Sequence, residues 1–467
     1  SLQTALNALP ANSTSDIHVV NVQASTNTQA YDTATRSFDV GHLYVRFEGG
    51  WTNVDSSPVQ DGYSAIRDLT GPVDATGLYV YDSGASHGRS KWVSVNRFVF
   101  SDVLNGISLR TPANVDASEL QLYVRNTTVV ALQTGVSIQY KGTTTFLIMS
   151  DSTILAGQGG ASGNGVYAYG AWDGSYFTNC RVTSAAGYGV LVDETPRGNI
   201  NYYSIGSAFT VRDSKIYNCY RDGYRRHEVN LDNPYASGPY LILDRSRITG
   251  NGTSGTGGGV CMELDTKDAP EALRGMTLLA TNSVIASNAQ YGVYFNGMLE
   301  APRGAAFSAT LVNSTLAENG GHGIVGLSPE SSGSSVTLYN SIIAGNSGRG
   351  ILAVDQSISG PSITEAYNDL FGNVPANLTQ VGTGGTNSPA PAATDLAVDP
   401  QFSKVWDKSG LHPWRPLTGS PVLNAASAAY APALDLLLNA RPIGGGYAMG
   451  AYESPLPPPR GTVVLFR

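Results

Sequence analysis

Asn282-Ser-Val-Ile-Ala-Ser-Asn288-Ala-Gln-Tyr-Gly292-Val returns as Asn313-Ser-Thr-Leu-Ala-Glu-Asn319-Gly-Gly-His-Gly323-Ile. It returns again as Asn340-Ser-Ile-Ile-Ala-Gly-Asn346-Ser-Gly-Arg-Gly350-Ile. A degenerate copy follows at Asn368-Asp-Leu-Phe-Gly-Asn373, and upstream copies begin near Asn126, Asp151, Asn179, Asp213 and Arg245. From 151 the starts lie 28, 34, 32, 37, 31, 27 and 28 residues apart. That period is too long for one hairpin and holds no pair of amphipathic helices. Runs such as Val336-Thr-Leu-Tyr alternate with Gly/Asn/Ser turns, so each unit reads as two or three short strands. One unit cannot bury its apolar face alone, whereas a stack of them shares a continuous core. The repeat therefore predicts an all-β, single-stranded solenoid with one unit per turn, a parallel β-helix.

Phase sharpens the expectation. With Ile248, Ile285, Leu316, Ile343 and Leu370 aligned as inward residues, Asn251, Asn288, Asn319, Asn346 and Asn373 each follow three positions later. Asn at one turn position can bond both the backbone and the Asn of the next coil, which predicts a ladder along the axis.

Composition agrees with the repeat. The 467 residues include 54 Gly and are only 14% charged, too little charge and too much Gly for a helical chain. Hydrophobic content of 41% is enough for a large core and argues against disorder. No apolar run reaches the length of a membrane span. The net charge of −8 excludes a nucleic-acid binder that relies on a general basic surface. The three cysteines, Cys180, Cys219 and Cys261, form neither a disulfide framework nor a zinc spacing. They read as small buried hydrophobes, with a Cys180–Cys219 bridge as the open alternative.

On these residues the chain resembles the right-handed parallel β-helix superfamily, which includes pectate lyases, alginate epimerases, phage tailspikes and many bacterial surface proteins. The amphipathic start Ser1-Leu-Gln-Thr-Ala-Leu-Asn-Ala-Leu is similar to the short helix that caps the first coil there. Asp399-Pro-Gln-Phe402, Trp414-Arg-Pro-Leu-Thr-Gly-Ser-Pro-Val-Leu-Asn424, Arg441-Pro-Ile-Gly and Gly450-Ala-Tyr-Glu453 resemble the terminal module of secreted bacterial members, with Asn424 where that module often has Asp. The resemblance implies a secreted or cell-surface protein whose signal peptide has been removed. The chain divides into a cap and irregular first coils (1–90), regular coils (91–380), terminal coils and C-terminal module (381–454), and a Pro-rich arm with a terminal strand (455–467).

Enzymes of that superfamily act on acidic polysaccharides and need a base, cations for the uronate and often calcium. The densest charge here is Tyr220-Arg-Asp-Gly-Tyr-Arg-Arg-His-Glu228. Aligning coils on Gly165, Gly189, Gly223, Gly259 and Gly292 gives two outward rows by strand alternation. One is Tyr167, Leu191, Arg225, Cys261 and Tyr294; the other is Tyr169, Asp193, His227, Glu263 and Asn296. Asp193, Arg225, His227, Glu263 and Tyr294 are thus the candidate site, with His227 or Tyr294 as base and Arg225 on a carboxylate. A solvated ladder of alternating charges explains the same residues and is the reading preferred from sequence. Arg226 falls at a nominally inward position, so the register is expected to break there. The Arg-Arg-His sequence also departs from the Asp-Pro-His of alginate epimerases. No cofactor, metal or nucleotide motif is found.

The last seven residues, Gly461-Thr-Val-Val-Leu-Phe-Arg467, are strongly β-prone and follow Pro455-Leu-Pro-Pro-Pro459. Thr462, Val463, Val464, Leu465 and Phe466 could add a strand to a neighbouring copy, giving a head-to-tail homopolymer. The sequence therefore favours an extracellular structural subunit that assembles into a filament or surface layer. The alternatives are a polysaccharide lyase or C5-epimerase, and a glycan-binding adhesin.

Overall fold

A computed structural model describes residues 90–110, 119–139, 145–160, 163–169, 174–194, 208–229, 239–265, 275–297, 305–328, 333–355, 360–403 and 413–453. Within the first 89 residues it describes 17–23, 31–32, 37–39, 44–52, 59–60, 62–67 and 76–81. The N-terminal segment expected to form a capping helix (1–9) and the C-terminal strand expected to join another copy (455–467) lie outside these residues.

Each circuit of the chain adds one strand to each of three parallel sheets. Sheet I runs from Ile17–Gln23 to Ser362–Ala366, sheet II from Tyr31–Asp32 to Asp369–Phe371, and sheet III from Ser37–Asp39 to Leu378–Gly382. An antiparallel turn back to Gly385–Asn387 covers the last edge of sheet III, which blunts that edge as a pairing surface. Strands alternate buried and half-exposed residues, as in Gly275–Thr281 and Ala306–Val312. Their inward side chains form one continuous core from Phe47 to Leu378. Aromatic pairs stack within it, with Phe177 and Phe209 edge to face at 5.0 Å and Phe295 and Phe307 stacked at 5.5 Å.

Three turn devices hold the register. The first turn, from sheet I to sheet II, opens with a left-handed residue: Asn126, Asp151, Asn179, Asp213, Arg245, Asn282, Asn313 and Asn340 have φ between 45 and 52°. Asn and Asp tolerate that conformation because their short polar side chains bond locally. This explains the Asn or Asp that opens all of these repeats but the one at Arg245. The Ser that follows serves the coil before it: Ser246 Oγ accepts from Ser214 N at 3.2 Å, and Ser283 Oγ from Ser246 N at 3.2 Å. In the degenerate copy Tyr367 takes the left-handed place (φ 58°). Asn368 occupies the Ser position instead, accepting from Ser341 N at 2.9 Å. That copy is therefore displaced by one residue from the start read in the sequence.

The second turn carries the asparagine row. Asn251, Asn288, Asn319 and Asn346 each donate from Nδ2 to Oδ1 of the next Asn at 2.8–3.0 Å. Asn373 closes the row on Asn377. Each Oδ1 also takes a backbone N–H, and each Nδ2 reaches a carbonyl one coil back, as from Asn319 to Ile285. All five side chains are buried.

The third device is a stack of glycines entering sheet III. A Cβ on Gly259 would lie 2.5 Å from the Gly292 carbonyl oxygen, and one on Gly292 2.6 Å from that of Gly323. Only Gly allows this approach.

All three cysteines are free and buried. Cys180 occupies the Ser row, where its N–H meets Ser214, and Cys219 the Asn row, where its N–H meets Asn251. They sit at different turns, which rules out the bridge between them. Burial pushes both thiols up to about 12.

The C-terminal module folds back over the outer face of sheet II. Asn282, Asn313 and Asn340 turn their amides outward to the carbonyls of Leu434, Ala448 and Ser427 at 2.7, 3.0 and 2.9 Å. Arg441 joins Glu453 at 2.6 Å with both side chains buried, and reaches Asn282 at 3.0 Å. Beneath the module the outward positions of sheet II become apolar and buried, as at Val284, Ala286 and Ile342. Asn424 is an exposed turn residue with φ 59°.

Candidate functional site

The middle coils of sheet III carry the charge. Strands Val190–Glu194, Tyr224–Val229, Val260–Asp265 and Val293–Asn296 pair in order. Their register places Leu191, Arg225, Cys261 and Tyr294 in one row, and Asp193, His227, Glu263 and Asn296 in the other. The register is unbroken at Arg226. Its side chain points inward, 3% exposed, and pairs with the equally buried Glu228 at 3.9 Å. The core accepts a cation there because a carboxylate two residues on shares the interior face. The expected break therefore does not occur.

Outside, Arg225 Nη2 donates to Glu263 at 2.5 Å and Nη1 approaches Asp222 at 3.5 Å. The guanidinium also lies over the Tyr188 ring, 5.4 Å from its centre, as does that of Arg221. His227 Nδ1 sits 3.6 Å from Asp193 Oδ1, and these two side chains stay 30% and 28% exposed. The Asp193 carboxylate holds the imidazole above its ordinary range, against the opposing effect of burial. Tyr294 is raised by burial, with Cys261 and Glu263 adding to it. A raised phenol keeps its proton, which argues against Tyr294 as the base. Of the two candidate bases, His227 is the better placed.

Asp222, Tyr188 and Tyr291 belong to the site and were missed in the sequence. They occupy the residue before each stacked glycine, a position treated there only as turn. Asp222 is 1% exposed and accepts from Gly258 N at 2.5 Å and from the Tyr291 hydroxyl at 2.7 Å. Burial raises its carboxyl, while these donors and Arg225 oppose the shift. Tyr291 lies two coils away and reaches Asp222 by passing over Gly258, where a Cβ would come within 2.3 Å of the tyrosine ring. The Tyr291 and Tyr294 rings lie 5.1 Å apart.

All five sequence candidates thus stand on the same outer face of adjacent coils. His227 is tied to Asp193 and Arg225 to Glu263, and Tyr294 continues the Arg225 row beyond Cys261. No group of three or more metal-ligating residues occurs among the described residues. The arrangement can hold an acidic sugar between tyrosine faces, meet its carboxylate with Arg225, and take a proton with His227.

A family model described as a right handed beta helix region matches residues 76–368. The chain belongs to this family. Among solved structures the β-helix is similar to pectate lyase Pel9A at 13% identity, with 94% of this chain and 97% of that one covered and a TM-score of 0.42. It is also similar to the tailspike protein gp49 of Acinetobacter baumannii bacteriophage Fri1, a capsular polysaccharide depolymerase, at 10% identity and a TM-score of 0.39. That match covers 74% of this chain and 54% of the tailspike. No curated protein matches this β-helix chain in sequence.

Proposed function

We propose that this β-helix is a polysaccharide lyase, working outside the cell on an acidic glycan laid across sheet III at Arg225 and His227. The observation that carries the reading is the His227–Asp193 pair beside Arg225, three half-exposed polar groups on adjacent coils of a tyrosine-lined face. A uronate carboxylate meets the free N–H groups of Arg225, which lowers the cost of charge building at the neighbouring carbon. Neutral His227 takes the proton from that carbon. The electron pair forms the new double bond, the glycosidic carbon–oxygen bond breaks, and the leaving oxygen receives a proton from Tyr294. Return of a proton to the opposite face, without bond cleavage, would make the same site a C5-epimerase.

Incubation with polygalacturonate, alginate and a glucuronate-containing glycosaminoglycan tests this, with the ultraviolet absorbance of unsaturated ends as readout. At least one substrate is expected to yield product, and His227→Ala to lose about 10²–10⁴-fold in rate. No product from all three, or full activity in the variant, would overturn the reading. Binding without turnover would assign the face to adhesion.

A further inference from the structure

A second cluster lies on sheet II, away from the sheet III face. Strands Arg181–Ser184, Lys215–Tyr217 and Arg247–Thr249 place Arg181, Lys215 and Arg247 in register, one cation above another. Neighbouring coils are about 4.8 Å apart, and like charges directly opposite one another destabilise a sheet. Among the described residues none of the three forms an ion pair, and the buried Nε of Arg247 has no hydrogen-bond partner.

The protein does neutralise charge where charge only decorates the surface. In the same coils Arg245 spans Asp213 at 2.8 and 3.0 Å and Asp244 at 3.1 Å, and Arg212 meets Asp244 at 2.9 Å. Among the described residues the sheet II row has no such counter-charge.

The row instead lines a cavity of about 210 Å³, walled by Arg181, Lys215, Tyr217, Arg247, Trp414 and Tyr452. Trp414 and Tyr452 come from the C-terminal module. The next residue of the row is Val284, already covered by that module. The three cations therefore mark the stretch where the module stands off the sheet and leaves a space. Trp414 is held by its Nε1–H on Glu318 at 3.1 Å, which turns that carboxylate to the indole. Among the described residues no carboxylate lines the cavity. Pockets for drug-sized ligands run about 300–1,000 Å³, so this one suits a single ring.

We propose that this cavity is a second binding site, for a compact anionic group (carboxylate, sulfate or phosphate) carried on a sugar-sized ring. The cations supply charge-assisted hydrogen bonds from three adjacent coils, and Tyr217 and Trp414 supply apolar wall. Burial and the two flanking arginines pull the Lys215 ammonium below its ordinary range. An anion bound between them reverses that pull.

Isothermal titration of the full chain with galacturonate, galactose and inorganic sulfate tests the site. Galacturonate is expected to bind about tenfold or more tightly than galactose, and Lys215→Gln to weaken it by about tenfold. Lys215→Gln removes a like-charge contact, so its melting temperature should be no lower than that of the parent, and Arg181→Gln serves as an independent variant. Sulfate binding as tightly as galacturonate supports a free-anion site, and weaker sulfate binding supports a sugar-borne anion. Galacturonate can also meet Arg225 on sheet III, so the titrations are run in an Arg225→Gln background, in which the sheet II binding should persist and the two sites fail or stand separately. Equal affinity for galactose, or binding within twofold of the parent in both sheet II variants, would overturn the proposal.

Discussion

The coils from Asn282 to Gly350 and those from Asn179 to Asp265 share one backbone and differ in the side chains that dress it. In the later coils each turn repeats the same chemistry. A left-handed Asn is followed by a Ser that accepts from the coil before, then by a ladder Asn and a stacked Gly. In the middle coils Cys180 stands in the Ser row, Cys219 in the Asn row and Arg245 in the left-handed place. Charges occupy the outward positions of all three sheets. The difference shows a division of labour. Register is held by turns and glycines, so outward side chains in the middle coils are free to be chosen for something other than folding.

That contrast can be broken at its stronger end. Asn319→Leu removes the acceptor for Asn288 N and Nδ2 and the donor to the Ile285 carbonyl, all buried. A buried polar group left unsatisfied costs about 1–3 kcal/mol. Urea unfolding should therefore show a loss of about 3 kcal/mol, and a loss under about 1 kcal/mol would mean that the ladder is ornament.

A smaller effect tests the middle coils. If neutral His227 is the base, activity should rise with pH through a midpoint above the ordinary histidine value, because Asp193 favours the protonated imidazole. The sign for stability is opposite: the pair supports the fold while His227 is protonated and loses that support as pH rises through its raised pKa. Asp193→Asn should shift the activity midpoint to lower pH. An unmoved midpoint would detach Asp193 from the chemistry.

The smallest effect is expected at Arg245→Gln. Its pairs with Asp213 and Asp244 lie at the surface, where such pairs contribute about 0.2–1 kcal/mol. Thermal melting within a few degrees of the parent is the expected result. A loss comparable to Asn319→Leu would erase the distinction between the two regions.

Much of this was legible in the sequence because a solenoid turns sequence period into spatial stacking. The inward Ile and Leu, the Asn row and both outward rows of sheet III followed from phase alone. The fate of Arg226 was not legible, since strand alternation gave its direction but nothing pointed to Glu228 as an interior partner. Asp222 was missed because its partner Tyr291 lies two coils away and reaches it only over a glycine. Asn282, Asn313 and Asn340, each opening a repeat, read as part of a turn, while their outward amides wait for residues 427–450. The sheet II cavity was hidden for the same reason: Trp414 and Tyr452 reach Lys215 across some two hundred residues of chain, and no local pattern reports that return.

The returning module also bears on how the molecule comes apart. A bare stack of coils opens from its ends, one rung at a time. Here residues 427–450 are tied to Asn282, Asn313 and Asn340, three rungs at once. The later coils are therefore splinted. They must release the module together before any one of them can peel away, and unravelling is left to begin from the opposite end.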